Sequence, residues 1–166
     1  TVPGYVIAAN KNCPTQTVIA GETQAVEKSL KAFAQLGVDA QEIPVSHAFH
    51  SKIVAPASKP LERVLSGLDI KAPALPILAN VHADYYPHEK SEIVSLLAKQ
   101  LESPVEYIAQ IERMYEEGAR LFVEVGPRRA STGFVRSILG KKEYVAIATN
   151  HPKGIWLKNL VLAWVN

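Results

Sequence analysis

The residues of this sequence that are best suited to chemistry lie in one short stretch, Ser46-His47-Ala48-Phe49-His50-Ser51. Two of the five histidines of the chain fall within it, three positions apart. Imidazole is the side chain that most readily moves a proton near neutral pH. We therefore interpret His50 as a candidate general base, and a histidine with a purely structural role in a turn is the alternative interpretation.

A pair of histidines can also bind a metal ion. Zinc in proteins takes three or four ligands, commonly at a helical spacing such as His-Glu-x-x-His. The other histidines, His82, His88 and His151, lie in predicted loops without a neighbouring cysteine or acidic cluster. The sequence therefore predicts no metal site.

The histidine stretch is predicted to lie between a strand and a helix, where rigid elements can hold a side chain against a ligand. Runs rich in β-branched and apolar residues predict strands over 5–10, 16–20, 39–45, 74–81, 121–125 and 144–148, the first two forming a hairpin. Apolar residues at helical spacing predict helices over 22–36, 53–68, 92–102, 105–117, 129–139 and 155–165, with Ser91 as the N-cap of the third. This order of elements predicts a mixed α/β protein.

Length and composition indicate an ordinary globular protein. Apolar residues make up 48% and charged residues 20% of the 166 positions, and the net charge of +2 is too small to argue for nucleic-acid binding. The single cysteine, Cys13, excludes an internal disulfide framework and fits a reducing cytoplasm. No apolar run approaches the ~20 residues of a membrane-spanning helix. The chain begins at Thr1 directly before a strand, so we expect a piece of a longer protein.

Four blocks of the sequence form a specific combination. They are Asn10-x-Asn12-x-Pro14-Thr15-Gln16-Thr17-Val18-Ile19-Ala20-Gly21, Val45-Ser46-His47-Ala48-Phe49-His50-Ser51, Gln100-Leu101-x-Ser103-Pro104-Val105, and Phe122-Val123-Glu124-Val125-Gly126-Pro127 with Thr132-Gly133. In this order and spacing they resemble the acyltransferase domains of polyketide and polyunsaturated-fatty-acid synthases and the related malonyl-CoA:acyl-carrier-protein transacylases. The resemblance implies a partial ferredoxin-like lobe over 1–68, the C-terminal part of an α/β-hydrolase-like lobe over 69–150, and a linker helix from 151.

The resemblance also implies roles for individual residues. In the family, a serine in a Gly-His-Ser-x-Gly motif attacks the acyl thioester, and the histidine matching His50 is the base that activates it. The glutamine matching Gln100 orients this histidine through a carbonyl, as the third member of a triad does. The expected substrate-binding residues are His47, Phe49, Asn10 and Asn12. The bulk of the phenylalanine beside the acyl group favours malonyl over methylmalonyl units.

The sequence departs from the family pattern because it contains no Gly-x-Ser-x-Gly motif, and the family's malonyl-binding arginine is missing as well. The chain therefore resembles the C-terminal half of the domain, and we expect it to be inactive alone. Its expected partners are the N-terminal half, neighbouring synthase domains and an acyl carrier protein. The expected substrates are malonyl-CoA and the phosphopantetheinyl carrier protein, without a bound cofactor. A non-catalytic docking module of acyltransferase ancestry is the alternative function.

Four further residues of the sequence could have a role. Arg128 and Arg129 open a predicted helix against its dipole, so they are candidate contacts for an acidic carrier protein or CoA phosphates, with a solvated turn as the alternative. Ser131 lies five residues past Gly126, the glycine of a strand–turn–helix, and is interpreted as an N-cap or first-turn serine rather than a nucleophile. Cys13 lies in a hairpin turn without a neighbouring base.

Overall fold

The computed structural model describes residues 2–45 and 47–150, so the predicted helix over 155–165 lies outside the described residues. Strands and helices form a mixed α/β fold, as the sequence predicts. The strands are β1 (Val6–Cys13), β2 (Gln16–Gly21), β3 (Leu78–Ala79), β4 (Asp84–Tyr85), β5 (Leu121–Glu124) and β6 (Val145–Ala148). The helices are α1 (Thr23–Gln35), a 3-10 helix (Lys52–Ala57), α2 (Ser58–Ser66), α3 (Lys90–Gln100), α4 (Tyr107–Glu116) and α5 (Ala130–Leu139).

Contacts within the chain define two compact units. Among the described residues, the first unit comprises 2–11 and 17–107, and the second comprises 12–16 and 108–150. The lobe boundaries implied by the family resemblance, after residues 68 and 150, stay a prediction.

The first unit combines strand pairing with helix packing. β1 and β2 form the predicted two-stranded hairpin, and α1 follows with Ala25 and Ser29 buried. The C-cap of this helix is Leu36, and the next residue, Gly37, has a φ of +69°, in the left-handed region that glycine enters without a steric penalty. Farther along, α2 packs against α3. The buried residues of α3 are Ile93, Val94 and Ala98.

Two prolines divide the helix that the sequence predicts over 53–68. Pro56 lies within the 3-10 helix, and the α-helix begins only at Ser58. Pro60 falls in the first turn of α2, where its missing N–H breaks no intrahelical hydrogen bond. The α-helical part of the predicted segment is therefore limited to Ser58–Ser66.

Three other local predictions are wrong. Residues 39–45 form no strand, because no described strand lies beside them to complete a ladder. The strand predicted over 74–81 is reduced to β3, since Pro76 has no N–H to donate. Ser91 lies inside α3 rather than at its N-cap, which is Glu89.

The second unit is built on a parallel strand pair. β5 and β6 are in register from Leu121 opposite Val145 to Glu124 opposite Ala148, and α5 packs against both strands. The opposite surface of this pair remains exposed, and we call it the open sheet face. Its residues are Leu121, Val123, Val125 and Val145, with exposed fractions of 55%, 46%, 84% and 47%.

Candidate active site

His50 has a backbone conformation that few non-glycine residues adopt. Its φ is +60°, in the left-handed region where Asn, Asp and His are the side chains most often tolerated. Its backbone N–H donates a hydrogen bond to the carbonyl oxygen of Leu101 at 3.0 Å. A segment distant in sequence therefore fixes the turn at this residue.

The imidazole of His50 contacts the same segment. Its Nδ1 lies 3.2 Å from the backbone carbonyl oxygen of Gln100. A carbonyl oxygen can only accept a hydrogen bond, so this contact places the ring hydrogen on Nδ1 and leaves the lone pair on Nε2. The half-buried ring thus keeps one nitrogen able to accept a proton.

The end of α3 supplies the carbonyl that orients the ring. Gln100 is the last residue of this helix, with Leu101 as its C-cap. The last carbonyls of an α-helix have no intrahelical partner and carry the negative end of the helix dipole. The Gln100 carbonyl is one of these, so it is available to accept the hydrogen bond of the histidine ring.

Ser51 closes the turn on the other side of the histidine. Its hydroxyl is fully buried, donates to the carbonyl oxygen of Ala48 at 2.5 Å and accepts from the N–H of Ile53 at 3.3 Å. The second bond caps the 3-10 helix. Both hydrogen bonds of the serine hydroxyl are therefore to backbone groups, and they connect the histidine turn to the start of the 3-10 helix.

The side chain of Gln100 makes no contact of this kind. Its Nε2 is buried and has no hydrogen-bond partner among the described residues. The contact with the histidine is made by the main-chain carbonyl. A different side chain at this position could therefore present the same carbonyl oxygen, provided the helix still ended here.

The other predicted residues of the first unit surround the turn or lie on β1. The rings of His47 and Phe49 are 6.0 Å apart at an interplanar angle of 47°, and Phe49 is 50% exposed. Asn10 on β1 pairs with Val105 in a single parallel bridge. A half-exposed phenyl ring therefore lies one residue before the candidate base.

Asn12, Arg128 and Arg129 belong to the second unit. The amide Nδ2 of Asn12 donates to Oε1 of Gln16 at 3.0 Å across the hairpin turn. Arg128 has a φ of +68° and pairs with Asn150 in an antiparallel bridge. Both arginine side chains are exposed.

Glu124 is a residue with a defined task that sequence reasoning missed. Its carboxylate accepts hydrogen bonds from the N–H of Ser131 at 3.2 Å and from the N–H and Oγ1 of Thr132, each at 2.7 Å. These amides open α5 and would otherwise attract an anion. The protein's own carboxylate already binds them, and the first-turn role predicted for Ser131 fits this bond. The available signal was an acidic residue at the end of a strand that precedes a helix.

Cys13 is buried at the tip of the hairpin, and its Sγ lies 3.5 Å from Oγ1 of Thr15. Burial raises the pKa of the thiol, but hydrogen bonds from the side chains of Thr15 and Ser137 and from the backbone of Thr15 and Gln16 lower the pKa by more. Its pKa therefore lies below the usual value of 9.0.

The described residues contain neither a metal-binding cluster nor a membrane-spanning helix. No group of three or more His, Cys, Asp or Glu side chains in residues 2–45 and 47–150 could hold a metal ion. No helix in that part of the chain is long and apolar enough to cross a membrane.

Known proteins resemble this chain in sequence and structure, although no family profile matches it. The malonyl CoA-acyl carrier protein transacylase of Bacillus subtilis is 36% identical over 141 residues, which is 84% of this chain and 44% of the relative. The solved transacylase from Clostridium perfringens superposes with a TM-score of 0.85 at 34% identity, over 98% of this chain and 50% of that one. The malonyl-transacylase structure PlMCAT:AntF, a complex with a type II polyketide synthase acyl-carrier protein, gives a TM-score of 0.84 at 30% identity, over 96% and 50%.

The similarity extends over most of this chain but only part of each relative. The chain spans about half the length of the transacylases it matches. Agreement in both sequence and backbone geometry confirms the relationship that the four blocks indicate. The chain belongs to the acyltransferase family of the malonyl-CoA:acyl-carrier-protein transacylases and of the related synthase domains.

Proposed function

We propose that this chain provides the histidine half of an acyltransferase that moves a malonyl group from CoA to the phosphopantetheine arm of an acyl carrier protein. The observation that carries the proposal is the contact of His50 Nδ1 with the Gln100 carbonyl, which leaves Nε2 as a base. A histidine with no chemical role has no need of an oriented ring in a strained turn. The relatives named as malonyl transacylases supply the substrate class.

In the proposed reaction, a serine from the other half of the domain is the nucleophile. His50 Nε2 takes the hydroxyl proton as the serine oxygen attacks the thioester carbon, and the C–S bond breaks when the tetrahedral intermediate collapses. The imidazolium returns its proton to the departing CoA thiolate. The same steps in reverse, with the phosphopantetheine thiol as the attacking group, transfer the acyl chain to the carrier protein.

Phe49 and His47 are proposed to border the acyl group of the substrate. The exposed phenyl ring limits the space at C2 of the acyl unit and so favours malonyl. One methyl group discriminates by only ~1 to 3 kcal/mol, so the preference is graded rather than absolute. Asn10 and Asn12 are proposed as further substrate contacts.

The other half of the domain is the proposed partner of the open sheet face. Parallel strands are normally covered on both faces and flanked by further strands, whereas three apolar side chains of β5 and β6, and Val125 directly after β5, are exposed. Exposed apolar patches of this kind mark an interface. We assign this face to the serine-bearing half, in a cytoplasmic protein that can include neighbouring synthase domains.

The carrier protein is the proposed partner of Arg128 and Arg129. The PlMCAT:AntF structure holds an acyl-carrier protein together with its malonyl-transacylase. Two adjacent exposed cations would attract an acidic partner and accelerate its association, most strongly at low salt.

Reconstitution tests the function directly. This chain is combined with a serine-bearing half in one polypeptide or by co-expression, and malonyl transfer from CoA to a holo carrier protein is followed by intact-protein mass. Transfer that requires both halves supports the proposal. A stable, folded complex that binds the carrier protein but transfers nothing would instead identify a docking module.

A further inference from the structure

We propose that Lys11 and Glu106 form a remote positioning pair for His50. The Nζ of Lys11 lies 2.7 Å from Oε1 of Glu106, which makes a charge-assisted hydrogen bond between β1 and the segment that follows α3. This proposal rests on the proposed function, because it assigns the pair a part in the reaction of the same site.

The segment concerned is 101–106, which we call the strap. It leaves the end of α3 and runs beside β1, where the N–H of Lys11 donates to the carbonyl oxygen of Val105 at 3.0 Å. The N–H of Val105 in turn donates to the carbonyl oxygen of Ala9 at 2.8 Å. Main-chain bonds thus attach the strap to the hairpin immediately before Glu106.

The other end of the strap contacts the candidate base. Leu101 accepts the hydrogen bond from the His50 N–H, and the preceding Gln100 carbonyl accepts from the ring. The two carbonyls that fix the backbone and ring of the histidine therefore stand at one end, and the ion pair stands at the other. A shift of the strap along β1 would move both carbonyls relative to the imidazole.

The ion pair is placed to prevent such a shift. Its side chains are only 44% and 25% exposed for Lys11 and Glu106, so water and salt screen the attraction less than at an open surface. Main-chain hydrogen bonds alone distinguish one register from another only weakly, because every strap residue except Pro104 carries the same donor and acceptor. A specific charge on each segment selects one register, which keeps the Gln100 carbonyl opposite Nδ1.

The matched variants are Glu106→Gln, Lys11→Met and the charge exchange K11E/E106K, with Glu117→Gln as control. The control breaks another ion pair, in which Nε of Arg113 lies 2.9 Å from Oε1 of Glu117. All are made in the complete enzyme that contains both halves. We expect each single variant to lower kcat about two- to fivefold with little change in KM, and the exchange to restore it. The control should keep the wild-type rate.

A spectroscopic measurement separates positioning from general destabilisation. The ¹⁵N chemical shifts of the His50 imidazole report which ring nitrogen carries the hydrogen. We expect wild-type enzyme and the control to show the Nδ1–H form, and Glu106→Gln to show a mixture of both forms. The charge exchange should return the signal to the Nδ1–H form.

The outcomes distinguish this proposal from the proposed function. A wild-type enzyme that transfers no malonyl group overturns the function, while the ring signals of the variants still decide whether the pair orients the histidine. Single variants with wild-type kcat and an unchanged tautomer overturn the positioning role. A loss of rate shared by Glu117→Gln would also overturn it, because the effect would then follow from any broken ion pair.

Discussion

Two turns of this molecule have the same backbone feature and opposite consequences. In the histidine turn, His50 has a φ of +60°, and in the turn before α5, Arg128 has a φ of +68°. Each precedes a helix, and each carries a conformation that costs a non-glycine residue of order 1 kcal/mol. The histidine turn is held by hydrogen bonds to a distant segment. At the arginine turn, a nearby carboxylate binds the helix amides that follow.

The difference shows where a strained turn becomes useful. Around the arginine turn, Glu124 satisfies the first amides of α5, so those groups are not available to a ligand. Around the histidine turn, the Leu101 carbonyl binds the backbone N–H of His50, and the Gln100 carbonyl binds one ring nitrogen and leaves the other available. The same backbone conformation therefore accompanies an occupied helix N-terminus in one unit and an available ring nitrogen in the other.

Replacing His50 by asparagine should give the largest effect. Asparagine tolerates the left-handed conformation, so the turn is retained while the imidazole is lost. We expect malonyl transfer by the complete enzyme to fall about 10²- to 10⁴-fold. His88→Asn, at an exposed position, is the control and should transfer at the wild-type rate. Full activity of His50→Asn would remove the histidine from the mechanism.

Replacing Glu124 by glutamine should destabilise the N-terminus of α5, because the carboxylate binds the first amides of this helix. The amide has one acceptor instead of a carboxylate, so the bonds to Ser131 and Thr132 cannot all be kept, at a cost of about 1 to 3 kcal/mol. Faster hydrogen exchange at these two amides would report the local loss. Exposed Glu143, changed to glutamine in the same unit, should alter stability by less than about 0.5 kcal/mol. Equal stability of the two variants would show that the carboxylate is not the cap.

Replacing Arg128 by glycine should relieve strain. Glycine adopts positive φ freely, which stabilises the folded state, although it also gives the unfolded chain more conformational entropy. After this cost is subtracted, we expect the free energy of unfolding to rise by about 0.5 to 1 kcal/mol. Arg129 provides a matched control, because its φ of −154° needs no glycine. Arg129→Gly removes the same charge and should lose stability. If both variants change stability in the same direction, the strain at Arg128 is not the cause.

Local patterns predicted most of the elements, and long-range pairing accounts for the rest. The hairpin and α1 follow from runs of β-branched residues and from helical spacing that ends at Gly37. The strand predicted over 39–45 failed because its propensity is satisfied only by a neighbouring strand. The β-propensity of a segment can be read from its own residues, whereas a sheet forms only where two segments pair.

The sequence indicated which residues to examine at the candidate site but not the hydrogen bonds that they form. The spacing of the histidines and the four-block resemblance indicated His50 and Gln100. The use of a main-chain carbonyl, rather than the glutamine side chain, depends on where α3 ends. Lys11 and Glu106 lie far apart in sequence as one basic and one acidic residue among many, so only the folded chain brings them together.

The smallest predicted effect is the contribution of Cys13 to the pH dependence of protein stability. Like the arginine turn, Cys13 belongs to the second unit. Burial raises the pKa of this thiol, but its hydrogen bonds lower the pKa by more, so the folded state releases the proton at a lower pH than the unfolded state. The unfolded state then binds more protons between the lowered pKa and the usual 9.0, and stability rises with pH in that window. Relative to Cys13→Ser, the wild type should gain stability up to pH 9 and keep the gain above it. Urea unfolding of both proteins from pH 7 to 10 measures this difference, and a difference that stays constant or shrinks with pH would show that the hydrogen bonds do not favour the thiolate.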